Sequence, residues 1–450
     1  MRRLLQVAAM LLVPGGLVVG ASRPAVEFSH SVVVSVDALA SQAGAEILSQ
    51  GGNAADAAVA TALALAVVYP EAGNLGGGHF SLWRDAQGDV EVMDARETAP
   101  LKATAKMFMG EDGKLRPGSS LFSPDAIAVP GTVAGLGLLH HRHGRLPWKA
   151  TVAPALRLAA QGFRVSRRLA SDLRRRQERL GRDPAAAAVF YASGRPPEEG
   201  DLLVQSDLAW SLRAIMEEGP EAFGRGRLAA RLAADLAGRG ARVTALDLAE
   251  YRPVLRRPIR TVYRGWDVFT PPPPSAGGMA VAQILRTLSP YHFQPEDAGG
   301  SRLIHLVAET LRRAFADRQK WLADPDFVDV PLNHLLDSVY LQSWNASISL
   351  DRSTPASELF PPPADSGREQ PDADGQTTHF SVVDQWGQAV SQTTTLNAFF
   401  GSGLMAAGTG ILWNNEMDDF ASAPGQPNLY LLPGAVPNAI APGKRPLSSM

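Results

Sequence analysis

Two hydrophobic periods divide the chain into elements. Residues 32–36 are β-branched apart from Ser35 and predict a strand. Asp37 can cap a helix that runs to Ser49 and ends at Gly51-Gly52. Asn53 caps a second helix over 54–68, apolar on nearly every face, which places it inside a packed layer. That run is too short to cross a membrane, and Pro70 stops it. A glycine loop at 73–79 leads to a hairpin with strands at 80–83 and 90–93. Residues 145–250 read mainly as helix, including 167–175 and 228–236. Short strands follow at 259–263 and 267–270. Ser275-Ala-Gly-Gly278 opens another helix, and 305–318 predicts a further one. Residues 353–376 are different: proline-rich and acidic, with few large apolar side chains, they read as an exposed linker. Immediately after it, 377–384 and 389–396 alternate as two strands joined by a turn at Gln385-Trp-Gly387.

The N-terminus adds a targeting signal to this α/β pattern. Arg2 and Arg3 precede an apolar stretch over 4–19, broken by Gln6 and residues 14–16. Val19-Gly20-Ala21 then offers small residues for cleavage. This is the form of a secretory signal peptide, so residues 1–21 are set aside and the mature protein is expected in the periplasm or outside the cell. Lys+Arg total 43 against 45 Asp+Glu, a formal charge of −2, which leaves no electrostatic footprint for nucleic acid or an anionic membrane. The absence of cysteine excludes disulfides, thiolate metal sites and a cysteine nucleophile.

The junction of linker and strand is the candidate for chemistry. A cut between Gln376 and Thr377 would expose a threonine with a free α-amine. Such an amine titrates near pH ~8, so it can act as base for its own hydroxyl without a separate histidine. Taken alone this signal is weak, because Thr-Thr at a strand start is far more often there for strand propensity and hydrogen bonding. His140-His-Arg-His143 lacks the i, i+4 spacing of a helical metal pair and reads as a solvated helix end. No Lys-Ser/Thr follows the glycine loop, so it is no phosphate cradle and instead lets helix pack closely on strand. His379 is assigned a structural role.

Many longer motifs occur in order along the chain. They are Gly51-Gly-Asn-Ala-Ala-Asp-Ala-Ala58, Gly76-Gly-Gly78, Asp94-Ala-Arg-Glu-Thr-Ala-Pro100, Pro130-Gly-Thr-Val-Ala-Gly135 and Pro272-Pro-Pro-Ser-Ala-Gly-Gly278. Ala316-Asp-Arg318, Asp324-Pro-Asp-Phe327, Thr377-Thr-His-Phe380 and Thr395-Leu-Asn397 follow. Asn414-Asn-Glu-Met-Asp-Asp-Phe420 and Lys444-Arg-Pro-Leu-Ser-Ser449 complete the series. With these motifs the chain resembles the γ-glutamyltranspeptidase (glutathione hydrolase) family of Ntn-hydrolases from about Val32 to Met450.

The resemblance implies a four-layer αββα sandwich and self-cleavage between Gln376 and Thr377. Residues 22–376 would form a large subunit and 377–450 the first part of a small one, the two staying associated. Thr377 would attack the γ-carbonyl of glutathione or another γ-glutamyl compound. Water, an amino acid or a dipeptide would take the acyl group, with no metal or cofactor. Thr395 resembles the threonine that supports the nucleophile. Arg96, Ser448 and Ser449 resemble the residues that bind the substrate α-carboxylate, and a guanidinium fork suits that partner. Asn397, Glu416 and Asp419 resemble those that hold its α-ammonium. Residues 423–435, with Tyr430, resemble the lid loop. A cephalosporin acylase or a poly-γ-glutamate processing enzyme is the alternative within the family, and a non-catalytic binding protein the alternative outside it.

The family usually continues well past its Leu-Ser-Ser-Met stretch, into a Gly-Gly pair that forms the oxyanion hole and into closing core strands. The chain stops at Met450. The expectation is therefore a fragment or a truncated, inactive homologue that lacks those C-terminal strands.

Overall fold

A computed structural model describes residues 26–360, 375–422, 427–432 and 434–449. The signal peptide, the proline-rich centre of the linker and part of the lid segment lie outside the described residues. All elements named below belong to one unit, Ser31–Met450.

The chain is mixed α and β. Its main sheet has six strands: β1 (Val32–Val34), β2 (Gly78–Arg84), β3 (Val90–Ala95), β4 (Val254–Arg256), β5 (Gly375–Val383) and β6 (Ala389–Ala398). Their spatial order is β1-β5-β6-β2-β3-β4, and every neighbouring pair is antiparallel. The two strands that follow the linker therefore enter the sheet between β1 and β2. A separate ribbon pairs Ile259–Tyr263 with Trp266–Thr270, as the alternation over that stretch predicts.

Helix α1 (Ala38–Ser49) starts where Asp37 accepts the Leu39 N–H at 2.8 Å. Helix α2 (Ala54–Val68) starts with a capping box. Asn53 Oδ1 accepts the Asp56 N–H at 3.1 Å, and Asp56 Oδ2 accepts the Asn53 N–H at 3.0 Å. Two orphan donors at the helix start are satisfied reciprocally in this way. All of α2 is buried, as its all-round apolar composition requires. It packs on β5 and β6 on one side, and on α1, α3 (Thr132–His143) and α4 (Trp148–Gln161) elsewhere.

The core sits between α2 and one face of the sheet, where β5 contributes Phe380 and Val382 and β6 contributes Val390. Because side chains alternate along a strand, Thr377, His379 and Ser381 point to the other face. Cross-strand partners Thr395, Thr393 and Ser391 join them there. The two apolar strands thus present a hydroxyl-rich face.

Two expectations need correction. The loose segment does not reach Gln376: Gly375 and Gln376 already pair with Ala398 and Asn397, because β6 is long enough to extend the ladder past Thr395. The glycine loop packs closely on helix α2, as expected, since a Cβ on Gly73 would stand 2.3 Å from the Leu65 carbonyl oxygen, and it packs on the neighbouring strand as well. A Cβ on Gly77 would stand 2.2 Å from the Thr395 carbonyl oxygen. The histidine run is packed rather than simply solvated. His143 stacks on Trp83 with ring centroids 3.7 Å apart and bonds Glu91 at 2.9 Å, while His140 bonds the Leu146 carbonyl at 2.9 Å.

Candidate active site

The register of β5 on β6 sets Thr377 directly opposite Thr395. The match is interrupted at the next position. A bulge falls between Thr395 and Asn397, and Asn397 takes φ +75, so Gln376 pairs with Asn397. A bulge bends its strand and re-aims local groups. Here it places the Asn397 N–H on Thr395 Oγ1 at 2.9 Å.

The Thr395 hydroxyl is consequently saturated. It accepts from Asn397 N–H and from Thr377 Oγ1 (3.3 Å), and it donates to the Gln376 carbonyl oxygen (2.7 Å). A single hydroxyl thus links the Thr377 oxygen to the carbonyl of the preceding peptide bond. The Gln376 side chain turns back, and its Oε1 accepts the Thr377 N–H at 3.1 Å. His379 bonds Thr393 Oγ1 at 2.8 Å, and that bond holds its ring along the strand.

The charged residues gather in a second cluster. Arg96 follows β3 and is fully buried. Its guanidinium donates to Glu416 and to Asp419, and its Nε to the Pro446 carbonyl at 3.2 Å. Glu97 lies 3.5 Å from the same guanidinium. All directions of the fork therefore face protein oxygens. Burial works against the Arg96 charge, but Glu416, Asp419 and Glu97 outweigh it and hold the proton more firmly than usual. Burial pushes the Glu416 carboxyl well above the usual range despite Arg96, and pushes Glu97 up to about 7.

Short polar segments hold this cluster in place. Glu416–Asp419 form one 3₁₀ turn, which presents both acids to Arg96. Ser449 donates to Asp419 through its N–H (3.2 Å) and its hydroxyl (2.8 Å). Ser448 is buried beside it, with its N–H on the Pro274 carbonyl at 2.8 Å. Asn428 donates to Asp419 Oδ1 at 3.1 Å, the oxygen that also takes the Ser449 hydroxyl. Tyr430 bridges the two clusters: its hydroxyl donates to the Asn397 carbonyl at 3.2 Å, and its ring covers Gly375 so closely that no Cβ fits there.

All ten site residues singled out from the sequence, Gln376 included, thus fall in two adjoining clusters linked through Asn397 and Tyr430. Sequence reasoning missed the asparagines that join them. Asn414 bonds the carbonyls of Gly76 and Ala128 and accepts the N–H groups of Ala128 and Glu416, at 2.8–3.0 Å. Asn415 accepts the Ala398 N–H at 3.0 Å, and its carbonyl accepts from Asn397 at 3.0 Å. They stand in the sequence as a doublet that opens the motif Asn414–Phe420, with no role attached to either asparagine. Among the described residues, no cluster of His, Asp and Glu has the arrangement of a metal site.

Comparison with known proteins bears on the family and the fold. The family model described as Gamma-glutamyltranspeptidase matches residues 40–450. The glutathione hydrolase proenzyme of Escherichia coli K12 is 44% identical over 426 residues, which cover 94% of this chain and 73% of that protein. The crystal structure of Helicobacter pylori gamma-glutamyltranspeptidase superposes with a TM-score of 0.73 at 37% identity, over 75% of this chain and 97% of that one. The cephalosporin acylase of Bacillus halodurans superposes with a TM-score of 0.81 at 27% identity, over 98% and 77%. The fold is accordingly that of the Ntn-hydrolases, and the chain belongs to the gamma-glutamyltranspeptidase family.

Proposed function

We propose that this chain is the precursor of a γ-glutamyltransferase/glutathione hydrolase that cuts itself before Thr377. The observation that carries this reading is the Thr377–Thr395–Gln376 connection through one hydroxyl. In the first stage Thr377 Oγ1 attacks the Gln376 carbonyl carbon. The C–N bond breaks as the C–O bond forms, and the hydroxyl proton ends on the departing nitrogen. The Thr395 hydroxyl, already on that carbonyl oxygen, stabilises the negative charge that develops there. That step frees the Thr377 amine, and water then hydrolyses the ester, which releases the Gln376 carboxylate and restores the Thr377 hydroxyl.

In the second stage that amine takes the proton from Thr377 Oγ1, which attacks the substrate γ-carbonyl. The leaving amine departs with the proton, and water or an amino acid or dipeptide resolves the γ-glutamyl ester. The substrate head is a zwitterion, and the charged cluster suits it. Its carboxylate can replace an acid on Arg96, assisted by Ser448 and Ser449, while its ammonium takes the released Glu416 or Asp419 beside Asn397. The exchange conserves buried charge, so it avoids the cost of an unpaired ion. Tyr430 closes over the site. The Arg2-Arg3 leader supports export, with residues 22–376 as the large subunit and 377–450 as the first part of the small one.

The test is a Thr377→Ala variant beside the parent chain. The parent should split into two fragments, the second beginning at Thr377, and release p-nitroaniline from γ-glutamyl-p-nitroanilide. The variant should do neither, and a variant that still splits or turns over refutes the assignment. The likeness to a cephalosporin acylase favours a second reading, with a glutaryl-type donor. Glutaryl-p-nitroanilide decides between them, since preference for it removes the ammonium-binding role of Glu416 and Asp419.

A further inference from the structure

We propose that Tyr69 is a positioning residue for the self-cleavage, its hydroxyl locking the Gln376 carboxamide onto the Thr377 amide N–H. The inference rests on the processing reading above and extends it to residues outside the two clusters.

Tyr69 is the C-cap residue of α2. It is 5% exposed and belongs to the main apolar core, so a rigid element fixes its place. Its hydroxyl oxygen accepts Gln376 Nε2 at 2.9 Å. It also accepts Arg168, from the helix Arg167–Arg175, whose guanidinium lies over the Tyr69 ring at 4.7 Å from the centroid. Arg168 is in turn held between Glu71 and Asp172, each 3.7 Å from its Nε. The Glu71 carboxyl is buried with no hydrogen bond of its own, and burial pushes it up to about 8 despite the nearby Arg168.

The consequence is a carboxamide with one orientation. Its nitrogen points at Tyr69 and its oxygen at the Thr377 N–H, 3.1 Å away. The flipped form would set two donors face to face at Thr377. The orientation matters for the bond that breaks. In the shift from nitrogen to oxygen, the Thr377 nitrogen changes from a planar neutral amide to an amine that has gained a proton. An acceptor already aligned on its N–H stabilises that change without reorganisation. The same anchor keeps Gln376 from swinging its carbonyl away from Thr395.

The experiment follows purified, uncut precursor as it converts to two fragments, in the parent, Tyr69→Phe, Gln376→Ala and the double variant, with melting temperatures measured in parallel. Loss of one neutral hydrogen bond predicts cleavage about three- to tenfold slower in folded Tyr69→Phe. Gln376→Ala should be slowed as well, and the double variant no slower than Gln376→Ala alone, because both changes remove the same contact. A Tyr69→Phe chain that cleaves at the parental rate, or a double variant in which the two effects multiply, overturns the proposal and leaves the function reading intact. A parent chain that never cuts before Thr377 overturns both. Gln376→Ala approaches the contact from the strand, so the answer does not depend on the core tolerating a change at Tyr69.

Discussion

The two halves of the site are built from opposite materials. At the Thr377 end every contact is neutral: two hydroxyls, a carbonyl, an amide and backbone N–H groups, spaced at 2.7–3.3 Å. At the Arg96 end one guanidinium faces three carboxyls, and all four side chains are buried. Neutral groups that lose a partner forfeit a modest hydrogen bond, whereas a buried ion that loses its partner is stranded. The nucleophile end should therefore tolerate substitution structurally and fail chemically. The charged end should fail in both respects.

The largest effect is expected from Arg96→Met, which leaves Glu416 and Asp419 without their cation. Denaturant unfolding should show a loss of about 3–5 kcal/mol, and turnover of γ-glutamyl-p-nitroanilide should fall below detection. A stable, active Arg96→Met protein would erase the contrast between the halves. Next comes Thr395→Val, which keeps shape and removes the hydroxyl. Self-cleavage should slow about 100-fold with little change in melting temperature, and Thr395→Ser should restore most of the rate. Unfolding of the valine variant as severe as that of Arg96→Met would show that the neutral end is also structural.

The smallest effect sharpens the charged end. Burial holds the Glu97 proton up to about pH 7, so the folded chain keeps a proton that the unfolded chain loses above its ordinary value of 4.5. The contribution of Glu97 to stability is therefore complete below about pH 4.5 and declines as pH rises through 7. Glu97→Gln removes that decline. Unfolding measured from pH 5 to pH 7 should show the variant gaining on the parent by on the order of 1 kcal/mol per pH unit. Parallel pH curves would mean that Glu97 is ionised throughout, beside Arg96.

What the sequence disclosed depended on how far each signal reaches along the chain. Asp37, Asn53 and Ser275 mark helix starts because a cap bonds within its own first turn, and all three do so. The hairpin of β5 and β6 is legible because a short turn joins the two strands, Thr377 stands out where the linker meets the first of them, and Thr395 is reached through the family resemblance; the register then sets the two opposite each other. The start of β5 at Gly375 was hidden, since its partners Asn397 and Ala398 lie beyond a bulge that no alternation pattern reveals. The engagement of Arg96 by Glu416 and Asp419 was equally hidden: more than three hundred residues separate the partners. Tyr69 gave no signal, because a helix-ending aromatic becomes part of a site only when the fold brings Gln376 to it.

The bulge beside Asn397 also decides what each half of a cut strand would keep. Seven consecutive pairs, Thr377 with Thr395 through Val383 with Ala389, lie on one side of the bond, and two lie on the other. The lost step in the ladder acts as a perforation. Severing the chain there would let the upstream end peel away by giving up two pairs, while the new terminus stays fastened along the rest of its strand. A terminal residue, ordinarily the loosest part of a chain, would be held here from its first moment as firmly as an interior one.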